Sequence, residues 1–276
     1  MSGNSSVAGQ SVTSKVLAIL GVFTAGQSRL TLTELSRRSG LPIATVHRLV
    51  GELAGWGALE RDDDGTYRVG VRLWEIGSLA PIRAGLRELA IPYMEDLYEA
   101  THENVQLAVL DGLDALFVEK ISGRDSTPIV TRVGGRLPLH ATGVGKVLLA
   151  FAPPWVLDGL IARGLEALTP RTIVDPDELR RNLDEVRRLG FAYTRDEMTV
   201  GSVSVGSPVY GPNETVVAAM SIVIGSRTTD VARLAPVVRT AARGLSRRLH
   251  EAWDGILPTA PAVPGPGPAE LDRRAG

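Results

Sequence analysis

Apolar residues recur at helical spacing up to about residue 70, and alternate positions carry them through much of the rest of the chain. That change of period divides the sequence into a small helical head and a larger mixed body. In the head, Val12, Val16, Ile19, Leu20 and Phe23 fall on one helical face and predict an amphipathic first helix from about Ser11, ended by Gly26. Thr31-Leu32-Thr33-Glu34 sets a hydroxyl three residues before a carboxylate, the spacing of a capping box. It starts a short second helix with Leu32 and Leu35 inward and Gly40 as its stop. Pro42 suits the first turn of a third helix that runs to about Ala54, with Val46, Leu49, Val50 and Leu53 on its buried face. The opposite face carries Ala44, Thr45, Arg48 and Gly51, with His47 at the border. Two short strands, Ala58–Arg61 and Thr66–Val69, are joined by the acidic turn Asp62-Asp63-Asp64-Gly65.

Three helices and a hairpin within residues 11–70 predict a winged helix-turn-helix. Small side chains on the exposed face of the third helix would let its backbone approach the bases in a major groove. Thr45 and His47 can hydrogen-bond there, and Arg48 can pair with a phosphate or a guanine edge. Arg38 and Arg68 are further candidates for DNA contact. The competing reading is a helical bundle with a merely solvated face. Residues 1–70 hold seven basic and six acidic groups, so the head carries no strong basic field.

Residues 71–103 read as helical, broken near Pro81, and a linker helix is expected over 71–84. Leu86, Leu89, Ile91, Met94 and Leu97 continue the apolar face into the body, which is expected over residues 85–253. Strand-like runs lie at Val105–Leu110, Ala115–Ile121, Ile129–Val133, Phe191–Thr194, Ser202–Tyr210 and Val216–Ile224. Helices interleave at about Gly143–Phe151, Pro154–Arg163, Asp175–Leu189 and Asp230–Trp253. Arg180, Arg181, Arg187 and Arg188, with Asp184 and Glu185 between them, read as a solvated helix face. The pattern predicts an antiparallel sheet flanked by helices, an α+β sensor-like domain. Residues 1–10 and the Pro-rich stretch 254–276, with five prolines from Pro258 to Pro268, are expected to be disordered.

Composition narrows the chemistry. The chain has 276 residues with 30 Lys+Arg against 31 Asp+Glu, a net charge of −1, so bulk charge neither demands nor forbids a nucleic-acid partner. It has no cysteine, which removes disulfides, thiolate zinc sites and cysteine catalysis. His47, His102, His140 and His250 are too scattered to suggest a metal cluster. No apolar run reaches the ~18–20 residues of a membrane span, and the polar start MSGNSSVAGQS does not read as a signal peptide. A soluble, cytoplasmic protein with no metal or cofactor is expected.

The sharpest local feature is Leu137-Pro138-Leu139-His140-Ala141-Thr142-Gly143-Val144-Gly145-Lys146-Val147. A Gly-rich turn opening a helix offers free backbone N–H groups at a positive dipole end, a cradle for a carboxylate or phosphate. A nucleotide loop would need glycine where His140 stands and Ser or Thr where Val147 stands, so that reading fails. Lys146 is expected to pair with an acidic side chain and His140 to make a structural hydrogen bond. Ser202, Ser204 and Ser207 are expected to face one side of their strand, suited to ligand binding, without the surroundings of a nucleophile elbow. Asp196 and Glu197, as strand neighbours, would point to opposite faces and make a poor acid/base couple.

The head sequence LTLTELSRRSGLPIATVHRLVGELAGWGALERDDDGTYRVG, with LAVLDG, LFVEKISG, RLPLHATGVGKVLLAF, LTPRTI, GFAYTRDE and VAAMSIVIG in the body, resembles the IclR family of bacterial transcriptional regulators. The likeness spans about residues 11–253. It implies a winged helix-turn-helix, a linker helix and a GAF-like effector-binding domain, acting as a homodimer or dimer of dimers on a palindromic double-stranded operator, with repression the expected mode. It places base-reading residues within Pro42–Leu53. It also implies that a small organic acid is held by the turn Gly143-Val144 and by positions Thr194, Ser204, Ser221 and Val223. Members that bind small keto acids have aspartate, cysteine and serine where this chain has Thr194, Ser204 and Val223. The pocket is thus expected to be less acidic and more apolar, suited to an aromatic or branched acid, with Leu137 and Ile129 as walls. The alternatives are a protein-interaction module whose winged helix no longer binds DNA, and a serine hydrolase.

Overall fold

The computed structural model describes residues 11–24, 27–79, 81–226 and 231–256. The expected disorder of residues 1–10 lies outside them, as does most of the expected tail; the portion of it at 254–256 is helical. The chain divides into two compact units, with the boundary between Ala80 and Pro81.

The first unit is built from α1 (Val12–Gly21), α2 (Leu32–Ser39), α3 (Ile43–Trp56), β1 (Leu59–Arg61), β2 (Tyr67–Val69) and α4 (Val71–Ser78). α1 ends at Gly21, five residues before Gly26, which is outside the described residues; the chain then closes a Thr24–Gln27 bridge. α2 starts on the expected capping box: Thr31 Oγ1 accepts from Glu34 N–H, and Glu34 accepts from the Thr31 N–H at 2.9 Å. Ile19, Leu30, Leu35, Leu41, Val46, Leu49, Val50 and Leu59 form the core of this unit, and Leu32 and Leu53 pack against it. β1 and β2 pair antiparallel, Leu59 opposite Val69. The 71–84 stretch is not one helix: α4 stops at Ser78 and the next helix begins at Pro81, where the ring removes a backbone donor and favours a helix start.

The second unit carries α5 (Pro81–Thr101), β3 (Asn104–Asp111), β4 (Asp114–Ile121), β5 (Arg136–Pro138), α6 (Gly143–Phe151), α7 (Pro154–Arg163), α8 (Pro176–Leu189), β6 (Ala192–Arg195), β7 (Ser202–Tyr210), β8 (Val216–Gly225) and α9 (Val231–Ile256). Its six strands form one antiparallel sheet in the order β5-β4-β3-β8-β7-β6. Each face buries its own core. Val105, Leu107, Val203, Val205, Met220 and Ile222 pack with residues of α5 and α9, while Ala108, Phe117, Ala192 and Ala219 pack with residues of α6, α7 and α8. The sheet is therefore covered on both sides.

Two expectations fail on geometry. Ile129–Val133 is not a strand: it belongs to an irregular strap over residues 122–135, with Val130 and Val133 exposed, and the edge strand is β5 instead. Thr127 and Thr131 of the strap bond to side chains of β3 and its approach, as Glu103 accepts from Thr127 N–H and Gln106 donates to Thr131 Oγ1, and the strap meets the β4 backbone only at Gly134 and Gly135, which bond Phe117 just before β5. Ser207 does not share a face with Ser202 and Ser204. The ladder between β7 and β8 runs without a bulge from Ser202 to Val209, so the odd position falls on the side of Val205 and Val209.

The Thr31 cap satisfies amide groups that the first turn of α2 would otherwise leave open. Thr31→Ala should destabilise the head by ~1 kcal/mol in chemical denaturation, with Thr31→Ser close to wild type.

Candidate functional site

Two surfaces carry the candidate residues. On α3, Ala44, His47, Arg48 and Gly51 are exposed and Thr45 is half-buried, so the predicted reading face exists as one stripe opposite Val46, Leu49 and Val50. Ile43 joins it, 51% exposed. The cations around it are engaged. Arg48 lies 2.6 Å from Glu52 one turn on, and Arg68 on β2 is held by Glu60 at 2.8 Å and by Asp62 at 3.5 Å. The Val71 amide and Arg68 together hold the Glu60 carboxyl below the usual range. Arg38 is exposed in the last turn of α2.

In the second unit the register assembles the other set. Thr194 stands opposite Ser204, Ser204 opposite Val223, and Val223 opposite Asn104, giving one row across four strands. The next row on the same face runs Gly206, Ser221, Gln106 and Lys120. The start of α6 lies directly on this floor. A Cβ added to Gly143 would meet Ser204 Oγ at 2.5 Å, and one added to Gly206 would meet the Gly143 carbonyl carbon and oxygen at 2.8 Å. Thr142 caps α6 by accepting from Gly145 N–H at 3.1 Å, and the Gly143 and Val144 amides have no acceptor among the described residues. Thr194 and Ser204 are largely buried residues, and no described residue hydrogen-bonds to either hydroxyl. Two free amides and two unspent hydroxyls thus meet where a carboxylate would find donors on several sides. The Val144 side chain itself belongs to the apolar core, so its contribution here is its backbone. Ser221, fully buried, donates to Gln106 Oε1 at 3.3 Å.

Behind the turn lies a buried ion pair. Lys146 is wholly buried on α6, and its Nζ reaches Glu197 Oε1 at 2.7 Å. Asp196 and Glu197 are not on the strand, because β6 ends at Arg195; Asp196 has φ 60° and opens a turn, and Thr172 Oγ1 donates to the Glu197 carbonyl at 2.7 Å. Burial lowers the Lys146 pKa and raises that of Glu197, each against the attraction of its partner. His140, also buried, bonds the Glu166 carbonyl at 3.0 Å, and burial lowers its pKa, so it is neutral at pH 7. No described group of three or more His, Cys, Asp or Glu residues has the geometry to hold a metal. No described helix is long and apolar enough to cross a membrane.

Residues 12–63 match the IclR helix-turn-helix domain, and residues 81–247 match the bacterial transcriptional regulator IclR C-terminal domain. The chain belongs to the IclR family of bacterial transcriptional regulators. The regulator KipR of Bacillus subtilis is 33% identical over 239 residues, covering 85% of this chain and 95% of that one. The repressor AllR of Klebsiella pneumoniae is 31% identical over 254 residues, 88% of this chain and 90% of its own. Among solved structures, an IclR homolog from Microbacterium hydrocarbonoxydans complexed with 4-hydroxybenzoate superposes with a TM-score of 0.83 at 33% identity, covering 87% of this chain and 99% of that one. The winged helix-turn-helix and the α+β effector domain are those of this IclR-family architecture, and its relatives regulate transcription.

Sequence reasoning missed four side chains on the pocket face and the partner of Lys146. Asn104 and Gln106 alternate on β3 at the period of a strand face, and that spacing was the available signal. Lys120 Nζ donates to the Thr131 carbonyl at 3.3 Å and Gln106 to Thr131 Oγ1 at 2.9 Å, contacts made through a strap whose path no local pattern encodes. The pairing of Lys146 with Glu197 spans 51 residues.

The buried pair generates a test. Lys146→Met should cost ~3–5 kcal/mol because it leaves a buried carboxylate alone, while Lys146→Met with Glu197→Leu should return close to wild type. In the single variant the folded-state pKa of Glu197 stands further above its unfolded value. Its carboxyl is tolerated when protonated, and stability is lost as pH rises through that pKa. The deficit measured by urea denaturation should therefore be smaller at pH 5 than at pH 8.

Proposed function

We propose that this protein is a ligand-responsive repressor that reads operator DNA with α3 and releases or retains it according to a small carboxylic acid bound at the Gly143 turn. The observation that carries the effector reading is the close seat of Gly143 on Ser204 and Gly206, beside the unpartnered hydroxyls of Thr194 and Ser204. The amides of Gly143 and Val144 and those hydroxyls hold the carboxylate. Val223, and Ile129 and Leu137 as walls, favour an aromatic or branched body. The Microbacterium homolog complexed with 4-hydroxybenzoate supports an acid of that size. Ala44, Thr45, His47 and Arg48 read the major groove, while Arg38 and Arg68 serve phosphates once Arg68 exchanges its carboxylate partners. The protein works in the cytoplasm as a homodimer or dimer of dimers on a palindromic site, and AllR supports repression as its mode.

The ligand acts by population shift. Tighter binding to one placement of the DNA-reading heads by ~1–3 kcal/mol changes operator affinity roughly 5–150-fold. Fluorescence anisotropy with DNA upstream of the protein's own gene and its neighbours, followed by a panel of organic acids, tests both halves. Selective binding altered by one acid is expected, and the affinity should fall as salt rises. Gly143→Ala should keep operator binding and lose the response, since its methyl group and the displaced Ser204 hydroxyl fill the cradle. A response preserved in that variant would remove the acid from this site, and loss of sequence preference at low salt would remove the DNA reading.

A further inference from the structure

We infer that the outer face of the α5–α9 layer docks a second copy of this chain, with α5 of one protomer lying over α9 of the other; the inference rests on the homo-oligomer proposed above. α5 packs on β3 and β4 and α9 on β7 and β8, so the two helices lie side by side on one face of the sheet. Opposite the buried Leu86, Ala90, Met94 and Leu97, α5 exposes Glu88, Glu95, Asp96 and Glu99. Their spacing places them in one acidic row along the helix. On α9 the exposed charges are Arg233, Arg243, Arg247 and Arg248, against Glu251 alone among its described side chains. Arg87 of α5 is spent on Glu119, and Arg248 on Glu251 at 3.3 Å. Glu88, Glu95, Asp96, Glu99, Arg243 and Arg247 have no ion-pair partner among the described residues, although the two rows lie on neighbouring helices.

Tyr93 and Gly244 mark the level at which the helices meet, since a Cβ on Gly244 would stand 2.7 Å from the Tyr93 ring. Glu95 and Asp96 follow Tyr93 within three residues, and Arg243 and Arg247 flank Gly244 within three. Each of these charges is thus within ~5 Å of that level along its helix. A two-fold axis running between the helices and along them carries α5 of one copy over α9 of the other and keeps the level. The acids of each copy then meet the arginines of its partner, twice over. The positions between the charges are small or apolar, Pro92 and Ala100 on α5 and Pro236, Val237 and Thr240 on α9, so no bulky side chain holds the partner off. The pattern also selects the occupant. A nucleic acid or an acidic protein is repelled by α5, and a basic protein by α9. A face that changes sign across its middle fits a partner that changes sign in the opposite order, and a two-fold copy does so by construction. Exposed ion pairs are individually weak, so their part here is to set the register and to exclude other partners.

Light scattering after size exclusion, on the full chain, tests this with two charge reversals. Arg243→Glu with Arg247→Glu turns the middle of the face acidic, and Glu95→Arg with Asp96→Arg turns it basic. All four positions are exposed, so both variants should keep the wild-type circular dichroism spectrum and melting behaviour. Each variant alone should lose one assembly step, its dissociation constant raised roughly tenfold or more, because like charges then face each other. An equimolar mixture of the two should recover the wild-type mass, since the acidic face of one meets the basic face of the other. Variants that keep the wild-type mass overturn this face as the contact and leave the homo-oligomer standing on another surface. A mixture that fails to recover the mass places the action of these charges inside each protomer and overturns the inference as well. A wild-type chain that is monomeric at micromolar concentration removes the inference and the homo-oligomer together.

Discussion

A helix backbone and a strand backbone come within contact of each other at Gly143 and Gly206, and much of the second unit is arranged around that approach. Neither residue has φ in the left-handed region, so the need for glycine here is a matter of space alone. Gly145 repeats the constraint two residues on, where a Cβ would strike the Leu139 carbonyl and the capping Thr142 hydroxyl. Because the first turn of α6 lies flat on β7, its free amides are buried beside strand hydroxyls and do not face bulk water. Low local dielectric strengthens whatever hydrogen bonds a ligand makes there, and it raises the cost of leaving those groups empty.

That burial has a second consequence. α6 is buried from Gly143 to Ala150, and Lys146, which follows the turn, has no exposed surface. Its charge is met by Glu197, delivered by the turn that Asp196 opens after β6. The same turn leads through Gly201 into Ser202 and on to Ser204, and Ser202 Oγ is tied to the Thr199 carbonyl at 2.7 Å. The ion pair thus connects the back of the cradle helix to the segment that supplies one of the cradle's hydroxyls. A buried pair of this kind adds little net stability, but it penalises any placement of the 196–201 turn that separates the two charges.

Local pattern made most of the elements legible. α6 and α7 fall on the bounds that the Gly-rich turn and the Pro154 start predict, and the capping box at Thr31 fixes the start of α2. What pattern could not supply was tertiary pairing. The β-branched texture of Ile129–Val133 suits a strand, yet Thr131 at its centre spends its hydroxyl on Gln106 and its carbonyl on Lys120, and the stretch pairs with no strand. Ser207 was assigned a face by its residue type, against the parity of its strand. Of the expected effector positions, Thr194, Ser204, Val223 and Ser221 share two adjacent rows with Gly143 above them, but Asn104 and Gln106 escaped notice inside an apolar run.

The head illustrates how a chain of nearly zero net charge can still serve DNA. Arg48 is paired with Glu52, and Arg68 with Glu60 and Asp62, so each must give up a carboxylate before it meets a phosphate. Exposed pairs of this kind are weak, on the order of 1 kcal/mol or less, so the exchange is accessible when several contacts form together. It is unrewarding for a single encounter with an arbitrary stretch of duplex. The acidic turn Asp62-Asp63-Asp64 adds repulsion wherever the wing would approach the backbone at random. On the proposed reading, this holds non-specific affinity down and leaves the uncharged stripe of Ala44, Thr45 and His47 to set the preference. A modest coupling free energy from the effector site can then decide whether the operator is occupied, because it acts on a binding equilibrium with little surplus charge attraction to overcome.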